Sequence, residues 1–209
     1  RNAFVVQSLC SPTRAALLTG LYNHANGVID NVTPLPQQPL WSETLAAAGY
    51  ATGYVGKWHH GLQKDRPGFQ WTASFLGQGK YTGCEFFVNG AREVAKEWAD
   101  DVSAAYAVRF MREHRAQPFY LFVGFKTPHR PWQPPKAFAK KWAGAETQPV
   151  ANLTARPPWR APEAPPTGDA DKPDDAPAHD GKPRRKEDQL DYFRCLAAMD
   201  ASVGTVLSG

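Results

Sequence analysis

The run Phe119-Tyr120-Leu121-Phe122-Val123-Gly124-Phe125 restricts the fold more than any other stretch of this chain. It is continuous and apolar, follows Pro118 and ends at Lys126-Thr127-Pro128, so it reads as a strand buried on both faces. Just upstream, Asp100 to His114 repeats Val102, Tyr106 and Phe110 at helical spacing. A helix leading into a buried strand predicts alternating layers of helix and sheet.

The rest of the chain extends that pattern. Ala3 to Val6 is short, apolar and β-prone, and runs into Cys10-Ser11-Pro12. Ala15-Ala16-Leu17-Leu18 begins a helix ended by Gly20, with Pro12 suited to its first turn, where a missing N–H costs nothing. Ser42 to Ala48 reads as a second helix, with Ser42 as N-cap and Gly49 as stop. Ala51 to Val55 reads as a buried strand ending at Gly56-Lys57-Trp58-His59. A last helix is expected from about Glu187 to Leu207, with Leu190, Phe193, Leu196, Ala197 and Val203 on one side. Between them, residues 143 to 186 are rich in Pro, Ala, Asp and Lys and read as a long exposed loop or insertion. No internal repeat is present. In such α/β sheets, ligand sites gather where strands end, and Cys10, Lys57 with His59, and His129 all fall at such ends.

Composition narrows the function. With 209 residues, 42% hydrophobic and 12% aromatic, the chain can bury a core. The net charge of +4 is spread along the sequence, with one short run at Arg184-Arg185-Lys186, so no nucleic-acid stripe is expected. Cys10, Cys84 and Cys195 form neither a disulfide framework nor a zinc spacing. No stretch approaches the roughly 20 apolar residues of a membrane helix. The opening Arg1-Asn2-Ala3 and the closing Ser208-Gly209 both read as cut, so a partial domain is expected.

Three motifs carry chemistry. A lone cysteine is most often a small buried hydrophobe. Cys10, however, precedes a helix whose dipole favours an anion, and Arg14 lies close enough to present a planar fork to an oxyanion. A cysteine phosphatase loop needs its Arg further along, where this chain has Ala16. In the second motif, Gly56-Lys57-Trp58-His59-His60, a fixed ammonium would stabilise charge on a transferred group and His59 could exchange protons near neutral pH. His60 is assigned to the surface or to a supporting position. The third is Lys126-Thr127-Pro128-His129-Arg130-Pro131, whose prolines hold His129 in place; Lys126 and Arg130 could assist with an anionic sugar.

Cys10-Ser11-Pro12-Thr13-Arg14 followed by Leu18-Thr19-Gly20, then Gly56-Lys57-Trp58-His59, then Pro128-His129-Arg130-Pro131, resembles the type I sulfatases of the alkaline-phosphatase-like superfamily in motif and order. The resemblance implies an α/β sandwich, mostly parallel, with helices on both faces and incomplete in this chain. It implies that a maturing enzyme oxidises Cys10 to formylglycine, whose hydrate attacks sulfur. Arg14, Lys57, His59 and His129 then complete the catalytic set, Lys57 and His129 binding the sulfate ester. A calcium ion is implied too, with the converted Cys10 as a ligand and its acidic ligands, like a second substrate Lys, outside residues 1–209. The implied substrate is a sulfated small molecule or glycan, for which the aromatic-rich stretch Phe69 to Phe87 is weighed, and the implied location is periplasmic or secreted, or lysosomal in a eukaryote. Two other readings stay open: a phosphoester or phosphonate hydrolase of the same superfamily, and a silent relative that binds anionic carbohydrate with Cys10 unconverted. His24 and Asp200 are read as structural, and Asn31-Val32-Thr33 and Asn152-Leu153-Thr154 as glycosylation sequons.

Overall fold

The computed structural model describes residues 4–60, 66–147 and 186–209. The chain enters a helix at once: α1 (Cys10–Thr19) is closed by Gly20 in the left-handed conformation, whose N–H bonds Ala16 O. It starts at Cys10, earlier than the Ala15 start expected, because Ser11-Pro12-Thr13 already occupies the first turn. A short α2 (Asn23–Asn26) and α3 (Trp41–Ala47) come next. Leu40, not Ser42, is the N-cap of α3: Glu43 accepts the Leu40 N–H at 2.9 Å, while the Ser42 hydroxyl donates to Pro67 O.

Five strands make one sheet in the order β4-β3-β2-β1-β5. They are β1 (Ala51–Lys57), β2 (Trp71–Phe75), β3 (Glu85–Val88), β4 (Ala91–Val94) and β5 (Phe119–Gly124). The pairs β1–β2 and β1–β5 are parallel; β2–β3 and β3–β4 are antiparallel. The expected parallel α/β sheet is therefore the half nearest the motifs, and the sheet as a whole is mixed. The hairpin β3–β4 turns on Asn89-Gly90, both at positive φ, the sequence signal of a tight hairpin. The long helices are α4 (Ala99–His114) and α5 (Lys186–Ser208).

Strand alternation sends side chains to two cores. Ala51 and Val55 of β1, Trp71, Ala73 and Phe75 of β2, and Leu121 and Val123 of β5 meet Ala107 and Phe110 of α4. Tyr54, Tyr120 and Phe122 face the other way, toward Ala15 and Leu18 of α1 and toward Leu40, Trp58 and Phe69. Helices thus cover both faces. At the crossing of α4 over β1, Gly53 leaves room for the Phe110 ring, which an added Cβ would meet at 2.7 Å.

Several expectations change here. Phe4, Val5 and Val6 form no strand and are 90%, 65% and 53% exposed, lacking any partner strand among the described residues; Ala3 lies outside those residues. Strand β5 is half-buried rather than buried on both faces, because it is the edge of the described sheet. The buried side of α5 is Leu190, Arg194, Cys195, Ala198 and Ser202, with Phe193 exposed. Arg194 takes a place on that side because its guanidinium reaches Lys141 O and Asp191 at 2.8 Å each. Asp200 is exposed and lies outside the buried side of α5. Phe69, Trp71, Phe75, Tyr81 and Phe86 of the aromatic-rich stretch are buried in the core, and Phe87 is partly buried. Most of the expected 143–186 insertion, and Asn152, lie outside the described residues.

Candidate active site

Parallel strands β1 and β5 run in register, Gly56 opposite Gly124, and so end at the same edge of the sheet. The segments just past the two strand ends are therefore brought together: Lys57 and His59 at the end of β1, and the 125–131 loop after β5. The N-terminus of α1 lies against this edge. The result is an open cleft of about 650 Å³ lined by Cys10, Arg14, Lys57, Lys126 and His129, with apolar walls including Leu17 and Phe122. Cys10 is half-buried. His59 does not line the cleft; it is buried behind it.

The cysteine is held through its neighbours. Leu9, the N-cap of α1, has no polar side-chain atom to offer, and Asn31 Oδ1 instead accepts the Ser11 N–H at 3.1 Å. Asn31, the first residue of a sequon pattern, thus caps the cysteine helix. Thr13 donates its hydroxyl to Gln7 O. The Ser11 hydroxyl stands 3.0 Å from His60 Nδ1. His60 is fully buried, not on the surface, and packs edge-on against Trp58 with ring centroids 5.3 Å apart. Burial first, then the charge of Arg14, holds its pKa down at about 3, so the ring is neutral.

Arg14 donates to Lys57 O at 2.5 Å and to the Tyr54 hydroxyl at 3.3 Å. Tyr54 donates to the same carbonyl. This ties α1 to the end of β1 and sets the guanidinium at the cleft wall. Two glycines make the approach possible. A Cβ on Gly124 would stand 2.6 Å from Arg14 Nη1, and one on Gly56, at φ 90°, would stand 2.2 Å from Gly124 O. Lys57 is only 2% exposed. Its ammonium donates to the side-chain oxygen of Gln78, whose amide nitrogen lies 3.2 Å from His59 Nε2. His59 adopts φ 63°, a backbone region costly for a bulky residue and kept only where the surroundings impose it.

The loop carrying His129 is anchored from α4. Asp100 is fully buried in the first turn of α4, and its two carboxylate oxygens accept the backbone N–H groups of Lys126 at 2.7 Å and Thr127 at 3.1 Å. Burial pushes that carboxyl's pKa up, and the hydrogen bonds from Thr127 and Lys126 oppose it. The Tyr81 hydroxyl donates to His129 O at 2.7 Å. His129 Nδ1 lies 2.7 Å from Arg130 O, so Nδ1 carries a proton and proton exchange falls to Nε2. The Lys126 ammonium bonds Gln78 O at 3.0 Å and lies 4.7 Å from the Tyr81 ring centre.

Three cations and the first turn of a helix around one cysteine make an anion site. Among the described residues, no three His, Cys, Asp or Glu side chains gather closely enough to hold a metal ion. A hard divalent ion needs about six oxygen ligands, so these residues do not by themselves fit calcium. Of the residues expected from sequence, Cys10, Arg14, Lys57 and His129 line one cleft, and His59 is buried beside Gln78. The supporting contacts of Gln78, Asp100, Asn31 and Tyr81 were not anticipated. Only the pinched Gly77-Gln78-Gly79 signalled a special turn there.

Comparison with known proteins gives the family. The sulfatase family model matches residues 1–209. The chain is 34% identical over 138 residues to N-acetylglucosamine-6-O-sulfatase of Bacteroides thetaiotaomicron, covering 64% of this chain and 24% of that one. It is 33% identical over 144 residues to human N-sulphoglucosamine sulphohydrolase, covering 62% and 24%. A solved structure in complex with its substrate D-glucosamine-2-N,6-O-disulfate superposes with TM-score 0.68 at 31% identity, over 73% of this chain and 32% of that one. A second, solved with k-i-k-neocarrahexaose, shares the fold over 99% of this chain and 45% of its own, with TM-score 0.74 at 21% identity. The chain thus spans about a quarter of the length of these curated relatives.

Proposed function

We propose, from the premise that this chain belongs to the sulfatase family, that the protein containing it hydrolyses a sulfate ester of a sulfated glycan with Cys10, converted to formylglycine, as nucleophile. The observation that carries this reading is the convergence of Cys10, Arg14, Lys57, Lys126 and His129 on one cleft. The anionic ester would lie against the α1 N-terminus, with Lys57 and Arg14 drawing charge from its oxygens as the S–O bond to the alcohol lengthens. A bound and desolvated ammonium does this better than a mobile one, and Lys57 is both buried and anchored.

In this reading one hydroxyl of the hydrated Cys10 aldehyde gives its proton to water as its oxygen bonds sulfur, and the S–O bond to the alcohol breaks, the alcohol leaving with a proton from His129. The second hydroxyl then gives up its proton, the aldehyde re-forms and sulfate departs. An unconverted thiol or a serine would have no such internal exit, which is why conversion by a maturing enzyme is part of the proposal. His59 supports the site from behind Lys57. The calcium implied by the resemblance would have to take its acidic ligands from elsewhere, with converted Cys10 as the one donor proposed within this chain.

The sulfated-glycan reading draws on relatives described as glucosamine sulfatases. A periplasmic or secreted location, or a lysosomal one in a eukaryote, draws on relatives that include an extracellular sulfatase homologue of Drosophila melanogaster. Among the described residues no helix is long and apolar enough to cross a membrane. Residues 1–209, with the 143–186 insertion, are proposed as one part of a single catalytic domain. Rates on matched sulfate and phosphate monoesters test the reaction. The sulfate ester should be preferred by at least about tenfold in kcat/KM, and preference for phosphate would contradict it.

A further inference from the structure

We propose that Gln78 is the positioning residue of this active site: one amide holds the Lys57 ammonium with its oxygen and sets the His59 ring with its nitrogen. The proposal rests on the reading of the cleft as a sulfate-ester site. Gln78 sits in the loop after β2, between Gly77 at φ 55° and Gly79 at φ 62°. A Cβ on Gly79 would meet the Phe75 ring at 2.5 Å, so the loop is folded down onto the last residue of β2. From there Gln78 meets three residues at the ends of β1 and β5. Its oxygen accepts from Lys57 Nζ, its nitrogen lies 3.2 Å from His59 Nε2, and its backbone carbonyl accepts from Lys126 Nζ at 3.0 Å.

The chemistry of the donors orients the amide. An ammonium donates and never accepts, so the amide oxygen must face Lys57 and the NH2 group must face His59. An imidazole nitrogen facing an NH2 group has to be the acceptor. His59 Nε2 is therefore unprotonated, and the proton of the neutral ring sits on Nδ1. One amide thus fixes both the place of a charge and the tautomer of a ring, each buried to 4% exposure or less. The choice of amide over carboxylate has the same origin. A carboxylate would anchor Lys57 but cancel its charge toward an anionic substrate, and would demand a proton on His59 Nε2.

Gln78→Met, which keeps the volume and removes both polar atoms, and Gln78→Glu, which keeps the shape, test this in the intact converted protein. The probes are 4-nitrophenyl sulfate turnover, the thermal midpoint and 15N resonances of labelled histidine at about pH 8. In the unaltered protein His59 should show a protonated Nδ1 and an unprotonated Nε2. Gln78→Met should lower kcat/KM by roughly 10- to 100-fold, mostly in kcat, with the midpoint unchanged. Gln78→Glu should lower it as well and move the His59 proton to Nε2; if the Met variant does not fold, this variant carries the test. Unchanged kinetics in both variants, or a protonated Nε2 in the unaltered protein, would overturn the proposal. If the unaltered protein ignores the sulfate ester while Gln78→Glu still inverts the His59 pattern, the positioning role stands and the sulfate-ester reading falls.

Discussion

Cys10 owes its place to residues that do not line the cleft. Its helix is capped by Asn31 and braced by the Ser11–His60 contact, and His60 is buried, neutral and held near pKa 3. That last value has a consequence for stability. The unfolded chain binds a proton on this histidine below about pH 6.5 and the folded one does not until about pH 3, so the unfolded state binds more protons across that window. The stability present above pH 6.5 is therefore lost progressively as the pH falls toward 3, by about 2 kcal/mol at pH 5. His60→Leu should flatten this dependence, which urea unfolding at pH 7.5 and 5 would measure; an equally steep loss in the variant would refute the assignment. At this scale the motif residues were legible because their spacing within a few positions is itself the signal. Asn31, His60 and Gln78 were not, because each acts across 19 to 49 positions and a sequence shows no pairing at that range.

The elements place these residues by ending together. Strands β1 and β5 are parallel and in register, and close packing at their ends demands Gly56 and Gly124. Gly124→Ala should displace the Arg14 guanidinium, lowering kcat/KM by roughly tenfold or more at a cost of about 1–3 kcal/mol in stability. Gly56→Ala meets backbone as well as a left-handed φ and should cost about 3 kcal/mol or more, visible as a lower thermal midpoint. The His129 loop depends on α4. Asp100→Ala removes acceptors for two buried N–H groups and should destabilise the fold by about 2–4 kcal/mol and lower kcat, while Asp100→Asn, which keeps one acceptor, should do less. A nearly equal loss in both variants would contradict that anchoring. Helix α4 could be read because its period is long and clean, and strand β5 because its apolar run is continuous, although its burial was overstated. Strands β2 to β4 run only four or five residues, and the Asn89-Gly90 turn that links two of them was the one strong clue. The buried side of α5 was misassigned because a paired arginine occupies a place that hydropathy gives to Phe193.

Across the whole molecule, charge and layering tell one story. Cationic side chains converge at the sheet edge, aromatic residues fill the cores behind it, and the described residues gather no acidic cluster to hold a metal. The layer arrangement was readable from alternating helix and strand patterns, and the family from three motifs in order; the mixed half of the sheet was not. Residues 1–209 expressed alone should therefore show no sulfate-ester turnover above background, whereas the intact protein should, and an arylsulfate assay of both decides it. The proposed mechanism turns on Cys10 losing its sulfur before it can work. The decisive measurement is mass spectrometry of the Cys10 peptide, from intact protein produced in a host with sulfatase-maturing machinery. The peptide should be lighter by the exchange of sulfur for oxygen and the removal of two hydrogens, and reactive toward aldehyde reagents. An intact thiol at Cys10 in protein that still hydrolyses sulfate esters would contradict it.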